Sequence, residues 1–137
     1  MESDEGDRIR LTVPATPAAA RITRVSAAGL ATRAGFSYGE VEQLRLAVDE
    51  ATALLAGTGA SNGTEVPRLE VLYVVERTGL WIELEVTDAP DAGPEELEVP
   101  DLARMVLDGT VDTWEVAPTE RRITLHKRRT DLHDEDE

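Results

Sequence analysis

Alternation of apolar and polar residues marks five segments of the chain as β-strands. In the first, Ile9, Leu11 and Val13 share one face. The second and third are separated by the short turn around Thr78-Gly79, which predicts a β-hairpin. The last two flank the turn Pro118-Thr119-Glu120. The predicted strands are Arg8–Val13, 68–76, 80–87, 111–117 and 121–127.

Three other segments have apolar residues at intervals of three or four, which predicts helices over about 18–34, 37–57 and 101–108. Thr16 is a suitable N-cap for the first, with Pro17 at the first helical position. Ser37 and Glu40 form the capping-box pattern S-x-x-E at the start of the second. Gly57 is expected to end that helix.

The resulting order, β-α-α-β-β-α-β-β, predicts an α+β fold. We expect a two-layer sandwich in which helices cover one face of an antiparallel (mixed) sheet, because this arrangement buries all the apolar stripes together. A single domain is predicted over residues 8–129. The acidic segments 1–7 and 130–137 are expected to be disordered, solubilising tails. Trp81 and Trp114 are expected either at the margin of the core or in contact with a partner, and we favour the core margin.

The composition of the chain argues against several classes of function. The net charge of −14 argues against a nucleic-acid-binding protein, which needs clustered Lys and Arg. The cluster HKRR at 126–129 is expected to be a solvated strand end. The absence of cysteine excludes disulfides and thiolate sites, and neither histidine has partners that suggest a metal site. No apolar run approaches the roughly 20 residues that cross a bilayer, and the amino terminus lacks a secretion pattern, so we expect a cytoplasmic protein.

The second helix carries two adjacent acids, Asp49 and Glu50, within LRLAVDEATALLAG. At about 100° per residue the two side chains cannot both face the core. In one interpretation both are solvated and pair with Arg45 or with nothing. In the other, Asp49 is solvated and Glu50 faces a cleft between helix and sheet.

This helix resembles the glutamate-bearing helix of GHKL-type (histidine-kinase-like) ATPase domains, in the branch of RsbW-like anti-sigma factors. The order of elements over about residues 8–129 is similar to that branch as well. Glu50 and Ala51 match the family motif, but Leu54 stands where the family has asparagine. The resemblance is closest to a degenerate group of actinobacterial anti-sigma factors of the anti-sigma F type, whose helix also reads RLAVDE.

Two further family motifs are only partly retained. Asp88 occupies the position of the aspartate that recognises adenine, but Pro90 replaces the glycine two residues later. A glycine-rich stretch that lets phosphates approach the backbone corresponds to DLAR at 101–104, where Asp101 and Ala103 add a charge and a β-carbon. Leucine at position 54 also offers no oxygen to magnesium. The resemblance therefore implies a site for ATP and magnesium that is weakened or lost.

The resemblance implies an anti-sigma factor that sequesters an alternative sigma factor of the stress and development class and is released by an anti-anti-sigma protein of the STAS fold. In this family the first helix forms much of the partner surface, so the resemblance assigns partner binding to Arg24 and Arg21. Dimers are common in the family, so the resemblance also implies a homodimer. Arg24 could equally serve only to solubilise an alanine-rich helix. An active serine kinase, with Glu50 as the catalytic residue, and a non-catalytic scaffold domain are the alternatives.

Overall fold

The computed structural model describes residues 6–58, 67–87 and 97–130. Of the predicted tails at 1–7 and 130–137, residues 1–5 and 131–137 lie outside these residues, as do Asp88 and Pro90. Asp7 begins the first strand, and Thr130 hydrogen-bonds to Glu40. Five strands and three helices are described, in the order β1 Asp7–Pro14, α1 Pro17–Arg33, α2 Tyr38–Thr58, β2 Arg68–Val75, β3 Gly79–Thr87, α3 Asp101–Thr110, β4 Thr113–Ala117 and β5 Arg122–Arg128.

The strands form one antiparallel sheet in the order β1-β2-β3-β5-β4. Side chains alternate between its two faces, as the sequence pattern predicted. One face packs beneath the helices, and we call the other, which no described helix covers, the open face. The predicted α+β class with helices on one face of an antiparallel sheet is thereby confirmed, and it is compatible with a GHKL-like fold. The strand residues that form the core between the sheet and the helices include Leu69, Val71, Tyr73, Leu80, Ile82, Leu84, Ile123 and Leu125.

Element ends fall close to their predicted positions. The second helix runs one residue beyond Gly57, and α3 continues two residues beyond Asp108. At this end Thr110 donates its hydroxyl hydrogen to the Val106 carbonyl at 2.7 Å, so a residue with modest helix propensity still satisfies its polar group within the last turn. The fourth strand begins at Thr113, two residues later than predicted.

The first helix ends in a Schellman motif at Gly35. The amide of Phe36 donates to the Ala31 carbonyl and that of Gly35 to the Thr32 carbonyl, both at 3.1 Å. Gly35 has φ +96°, a left-handed conformation that strains any residue with a β-carbon. Arg129 donates from Nη1 to the Ala34 carbonyl at 2.9 Å, which places a cation at the negative end of the helix.

The second helix begins with the predicted capping box. The Ser37 amide donates to Glu40 Oε1 at 2.8 Å, and the Glu40 amide donates to Ser37 Oγ at 3.2 Å. The other carboxylate oxygen, Oε2, accepts from the amide and hydroxyl of Thr130 at 2.8 and 2.6 Å. Glu40 thus caps its own helix and ties it to the residues that follow β5.

The HKRR cluster is not a uniformly solvated strand end, so that part of the sequence interpretation is wrong. Lys127 faces the helices and is only 6% exposed. Its ammonium donates to Gln43 Oε1 at 2.9 Å and to the Thr110 carbonyl at 2.7 Å. Burial lowers the pKa of Lys127, while Asp112 and Glu40 oppose that effect electrostatically.

The two tryptophans differ in position. Trp114 is half-buried, packs against the core and donates from Nε1 to Asp108 Oδ1 at 2.8 Å, as expected of a residue at the core margin. Trp81 lies on the open face and is 36% exposed, so the expectation of a core-margin position is wrong, and a role in partner contacts stays a prediction. The reason is strand parity: its neighbours Leu80 and Ile82 take the buried positions of β3.

We predict that Glu40 supplies acid-sensitive stability. Burial disfavours its carboxylate, but the hydrogen bonds from Thr130 and Ser37 outweigh burial and lower the pKa of Glu40 to about 2. Because the folded pKa is depressed, this stabilisation is present above the ordinary glutamate pKa and is lost as pH falls towards 2. It amounts to roughly 3 kcal/mol. Urea unfolding of wild type and Glu40→Gln across this pH range should show the difference between them shrinking as pH falls.

The matched control is Glu42→Gln, two residues away on the same helix, where the side chain is exposed and, among the described residues, pairs with Arg45. That variant should follow wild type within about 1 kcal/mol at every pH. A pH-independent difference between wild type and Glu40→Gln would contradict the assignment.

Candidate functional site

The two acids at the middle of α2 point to different sides of the helix. Asp49 faces α1, where its Oδ1 lies 3.1 Å from Nη1 of Arg24. Its side chain is 56% exposed, in agreement with the expectation that Asp49 is solvated. In the interpretation in which both acids pair with Arg45 or with nothing, the pairing with Arg45 is wrong, because Arg45 pairs with Glu42 at 3.1 Å.

Glu50 lies on the other side of the buried stripe of α2. Gln43, Glu50 and Leu54 fall within about 20° of one line along the helix, since seven and eleven residues are nearly whole numbers of turns. Gln43 contacts the Lys127 ammonium, which also reaches the Thr110 carbonyl at the end of α3. This line of residues therefore follows the α3 side of α2, whereas Asp49 follows the α1 side.

Glu50 is partly buried as a residue, and its carboxylate forms no hydrogen bond or ion pair with the residues described. A carboxylate in such a position can accept hydrogen bonds from a ligand or from the hydroxyl of a substrate. The geometry therefore leaves Glu50 free for a ligand. Its assignment to a nucleotide pocket stays a prediction, because Asp88 and Pro90 lie outside the residues described.

One helical turn after Glu50, Leu54 is partly buried and packs against the core. Thr52 lies deeper, at 1% exposure, and its hydroxyl donates to the Asp49 carbonyl at 3.0 Å. Thr52 is therefore a packing residue, as expected. With a hydrocarbon at position 54 and a self-satisfied hydroxyl at 52, this turn supplies no oxygen ligand suited to magnesium beyond Glu50 itself.

The start of α3 is the segment that the sequence resemblance aligns with a glycine-rich stretch, and it contains no glycine at 101–104. Ala103 is buried, at 2% exposure, so its β-carbon points into the interior. Asp101 is exposed in the first turn, and the N-cap is Pro100, which makes no side-chain cap hydrogen bond. An anion approaching these backbone amides would meet the Asp101 carboxylate.

The first helix presents an exposed face that is basic and apolar. Its sequence, PAAARITRVSAAGLATR, contains three arginines and no acid, in a chain whose net charge is −14. Arg21 is exposed, and Ile22 and Val25 expose 50% and 61% of their surface beside it. Arg24 is half-buried and held by Asp49, while its buried Nε lacks a hydrogen-bond partner within the described part of the chain. We call Arg21, Ile22, Arg24 and Val25 the α1 surface.

Other polar groups in the described ranges do not assemble a second centre. No group of three or more potential metal ligands occurs among residues 6–58, 67–87 and 97–130. His126 lies on the open face, where Nε2 is 3.1 Å from Glu76 Oε1 and the ring is 5.5 Å from that of Trp81. Within these same ranges no helix has the length and apolar character needed to cross a membrane.

Sequence reasoning did not identify Asp49 as the partner of Arg24, nor the contacts of Lys127. The first is a pairing between residues 25 positions apart, which no local pattern reveals. The second has a signal in strand parity, since Ile123, Leu125 and Lys127 share one face of β5. If the alternation of β5 is extended to residue 127, Lys127 falls on the face of the sheet that the helices cover.

Comparison with known proteins points in one direction. No family model matches the sequence. The serine-protein kinase RsbW of Listeria monocytogenes serovar 1/2a is 38% identical over 82 residues, which are 60% of this chain and 50% of that protein. RsbW of Bacillus subtilis is 42% identical over 48 residues, 35% of this chain and 30% of that protein. The chain thus spans about half the length, or less, of the curated relatives it matches.

Proposed function

We propose that this protein is an RsbW-like anti-sigma factor of the GHKL superfamily, which binds and sequesters an alternative sigma factor of the stress and development class in the cytoplasm. A STAS-domain anti-anti-sigma protein would release the sigma factor. The observation that carries the proposal is the similarity to RsbW proteins over 60% of the chain, combined with an α+β fold compatible with that superfamily.

The α1 surface supports this function as the place where a partner binds. A basic, apolar face on an acidic protein is complementary to a partner surface that combines carboxylates with apolar side chains. Arg24 is suited to a bidentate contact with a partner carboxylate, because its guanidinium has several donors and is already oriented by Asp49. The Asp49 side chain is largely exposed, so this ion pair contributes at most about 1 kcal/mol and is readily exchanged for a partner's carboxylate.

We further propose that the nucleotide site is degenerate. Three features support this: the hydrocarbon of Leu54, the buried β-carbon of Ala103 and the negative charge of Asp101. Glu50 remains in a position to accept a hydrogen bond, but the asparagine that the family has one turn later is replaced by Leu54. Regulation would then depend on which protein occupies the partner surface and not on phosphate transfer.

An active serine-protein kinase that phosphorylates the STAS protein is the second candidate. It is favoured by the name that the RsbW relatives carry and by the half-buried Glu50, which would accept the proton of an attacking hydroxyl. The same three residues oppose it, since they remove an oxygen ligand for magnesium and add charge and bulk where phosphates would lie.

Binding of ATP distinguishes these two functions. We expect no magnesium-dependent thermal shift with ATP, whereas a ligand at a hundred times its dissociation constant would stabilise the folded protein by about 2.7 kcal/mol. A clear shift that Glu50→Gln abolishes, followed by phosphate transfer to a STAS protein, would favour the kinase. Leu54→Asn serves as a matched variant, since it places an amide oxygen at the position where the metal ligand is missing.

Partner capture tests the proposed function directly. A tagged copy expressed in its own source cell should recover a sigma factor and a STAS-domain protein, identified by mass spectrometry. Arg24→Glu should lower the recovered sigma factor roughly tenfold or more, because it replaces a charge-assisted contact with repulsion. Recovery of neither class of protein would favour a scaffold domain without sigma binding.

The control for Arg24→Glu is Arg33→Glu. Arg33 is exposed on the same helix, and nine residues rotate its side chain about 180° away from Arg24. The Arg33→Glu variant therefore makes the same change of charge outside the α1 surface, and it should leave the amount of recovered sigma factor unchanged. Equal loss in both variants would show that net charge, and not the α1 surface, governs binding.

A further inference from the structure

The third helix is apolar on two faces, and the described part of the chain covers only one of them. The covered face consists of Ala103, Leu107 and Thr110. The second face has the spacing i, i+3, i+4, i+7 and consists of Leu102, Met105, Val106 and Gly109. Leu102 and Met105 expose 71% and 68% of their surface. Large apolar side chains grouped at the surface in this way are typical of a site that binds another molecule.

This second face is turned towards α2. On the opposite side of α3, Arg104 lies over the ring of Trp114 at 5.8 Å, and Asp108 accepts a hydrogen bond from the same ring. These two contacts hold that side of α3 against β4. Leu102 and Val106 are each rotated by about 160° from Arg104, so they lie on the side of α3 that is nearer to α2.

The helices α2 and α3 run in opposite directions along the sheet. The first turn of α2 lies just beyond the end of β5, where Glu40 accepts a hydrogen bond from the amide of Thr130. The third helix follows Leu97, whose amide donates to the Pro118 carbonyl near the start of β5. It ends beside Lys127, which donates to the carbonyl of its last residue. The end of α3 therefore lies beside the start of α2.

The contacts of Lys127 give the two helices a common height. Its ammonium bonds to Gln43 on α2 and to the Thr110 carbonyl on α3. Glu50 lies about 10.5 Å along α2 from Gln43, and Ala103 lies the same distance back along α3 from Thr110. Glu50 is therefore level with Ala103, near the start of the second face of α3.

An exposed leucine joins this face to Glu50. Leu46 lies one turn before Glu50 on the outer side of α2 and exposes 57% of its surface. We define the α2–α3 seam as the second face of α3 together with these two residues of α2: Leu46, Glu50, Leu102, Met105, Val106 and Gly109.

The charge along the seam is negative. Neither Glu50 nor the exposed Asp101, at the start of α3, has an ion-pair partner among the residues described. The arginines of these two helices are directed elsewhere, since Arg45 pairs with Glu42 and Arg104 lies over an aromatic ring. The seam therefore combines apolar side chains with uncompensated carboxylates, which is the opposite of the basic α1 surface.

Gly109 has open space beyond it. A β-carbon at this position would meet no atom within 4 Å, so no contact within the fold requires glycine there. Glycine is also less favourable than alanine in a helix. A glycine of this kind has a physical reason if the backbone of another molecule approaches closely at that point.

From these observations we propose that the α2–α3 seam binds an amphipathic helix of a partner protein, with lysine or arginine beside its apolar stripe. A helix in a groove is anchored by side chains at the spacing seen on α3. Its basic residues would pair with Glu50 and Asp101, and its backbone would approach α3 at Gly109, about 12 Å further along. This use of Glu50 rests on the proposed degeneracy of the nucleotide site, which the ATP thermal shift tests separately.

The probe for this site is a fluorescein-labelled helical peptide with leucines at i, i+3, i+4 and i+7 and lysines at the other positions. Its binding to the whole chain is followed by fluorescence anisotropy. A peptide of the same composition in scrambled order has no apolar stripe, and it measures attraction by the net charge of −14 alone. We expect the amphipathic peptide to bind roughly tenfold more tightly than the scrambled one.

Gly109→Leu should weaken binding of the amphipathic peptide roughly tenfold or more, because the leucine occupies the point of closest approach. The variant should stay folded by circular dichroism, since the added side chain enters open space. Gly29→Leu is the matched control. Gly29 is an exposed glycine on α1, also with no atom within 4 Å of an added β-carbon, so the peptide affinity should stay within about twofold of wild type.

The charge of the partner is tested by the double variant Glu50→Gln with Asp101→Asn. It should weaken binding of the amphipathic peptide roughly tenfold at low salt, and by less at high salt, because the lost contacts are electrostatic. Binding indifferent to the loss of both carboxylates would refute a basic partner.

Three other outcomes would overturn the inference. Equal affinity for the two peptides, or equal loss in Gly109→Leu and Gly29→Leu, would refute the seam as the binding surface. A wild-type dimer that Gly109→Leu dissociates in sedimentation equilibrium would show that a second copy covers the seam instead. The capture experiment with Arg24→Glu concerns the α1 surface, so its failure would leave these results unchanged.

Discussion

The burial of α2 on the covered face of the sheet is the interaction on which the rest of the structure depends. Its fully buried stripe includes Leu44, Ala47, Val48, Ala51 and Leu55. Fixing this stripe fixes the rotation of the helix, which directs Asp49 towards α1 and Glu50 towards the α3 side. The placement of both chemically interesting acids therefore follows from the packing of their apolar neighbours, at about 100° per residue.

Local patterns were sufficient to predict most of the fold. The alternation in β2 and β3 and the capping box at Ser37 each indicate their structure within a few residues, and both predictions are confirmed. The failures share one cause. Trp81 was expected at the core margin and Lys127 in a solvated strand end, whereas strand parity places Trp81 on the open face and Lys127 beneath the helices.

The candidate site could be predicted less completely, for a different reason. That Glu50 lies at a margin of α2 followed from helical geometry. What lies across from it depends on contacts between distant segments, such as Lys127 with Gln43 and Arg24 with Asp49, which a single sequence does not encode locally. The residues that set the character of the site, Leu54 and Ala103, became interpretable only through resemblance to a family whose residues differ there.

Residues 127–130 join the ends of all three helices to the sheet. Lys127 binds the last turn of α3, Arg129 the last turn of α1, and Thr130 the first turn of α2. The ends of α1 and α2 therefore obtain these contacts only once the final strand is in place, and the contacts reach across up to 95 positions of sequence. Contacts of such long range are expected to form more slowly than the helices themselves.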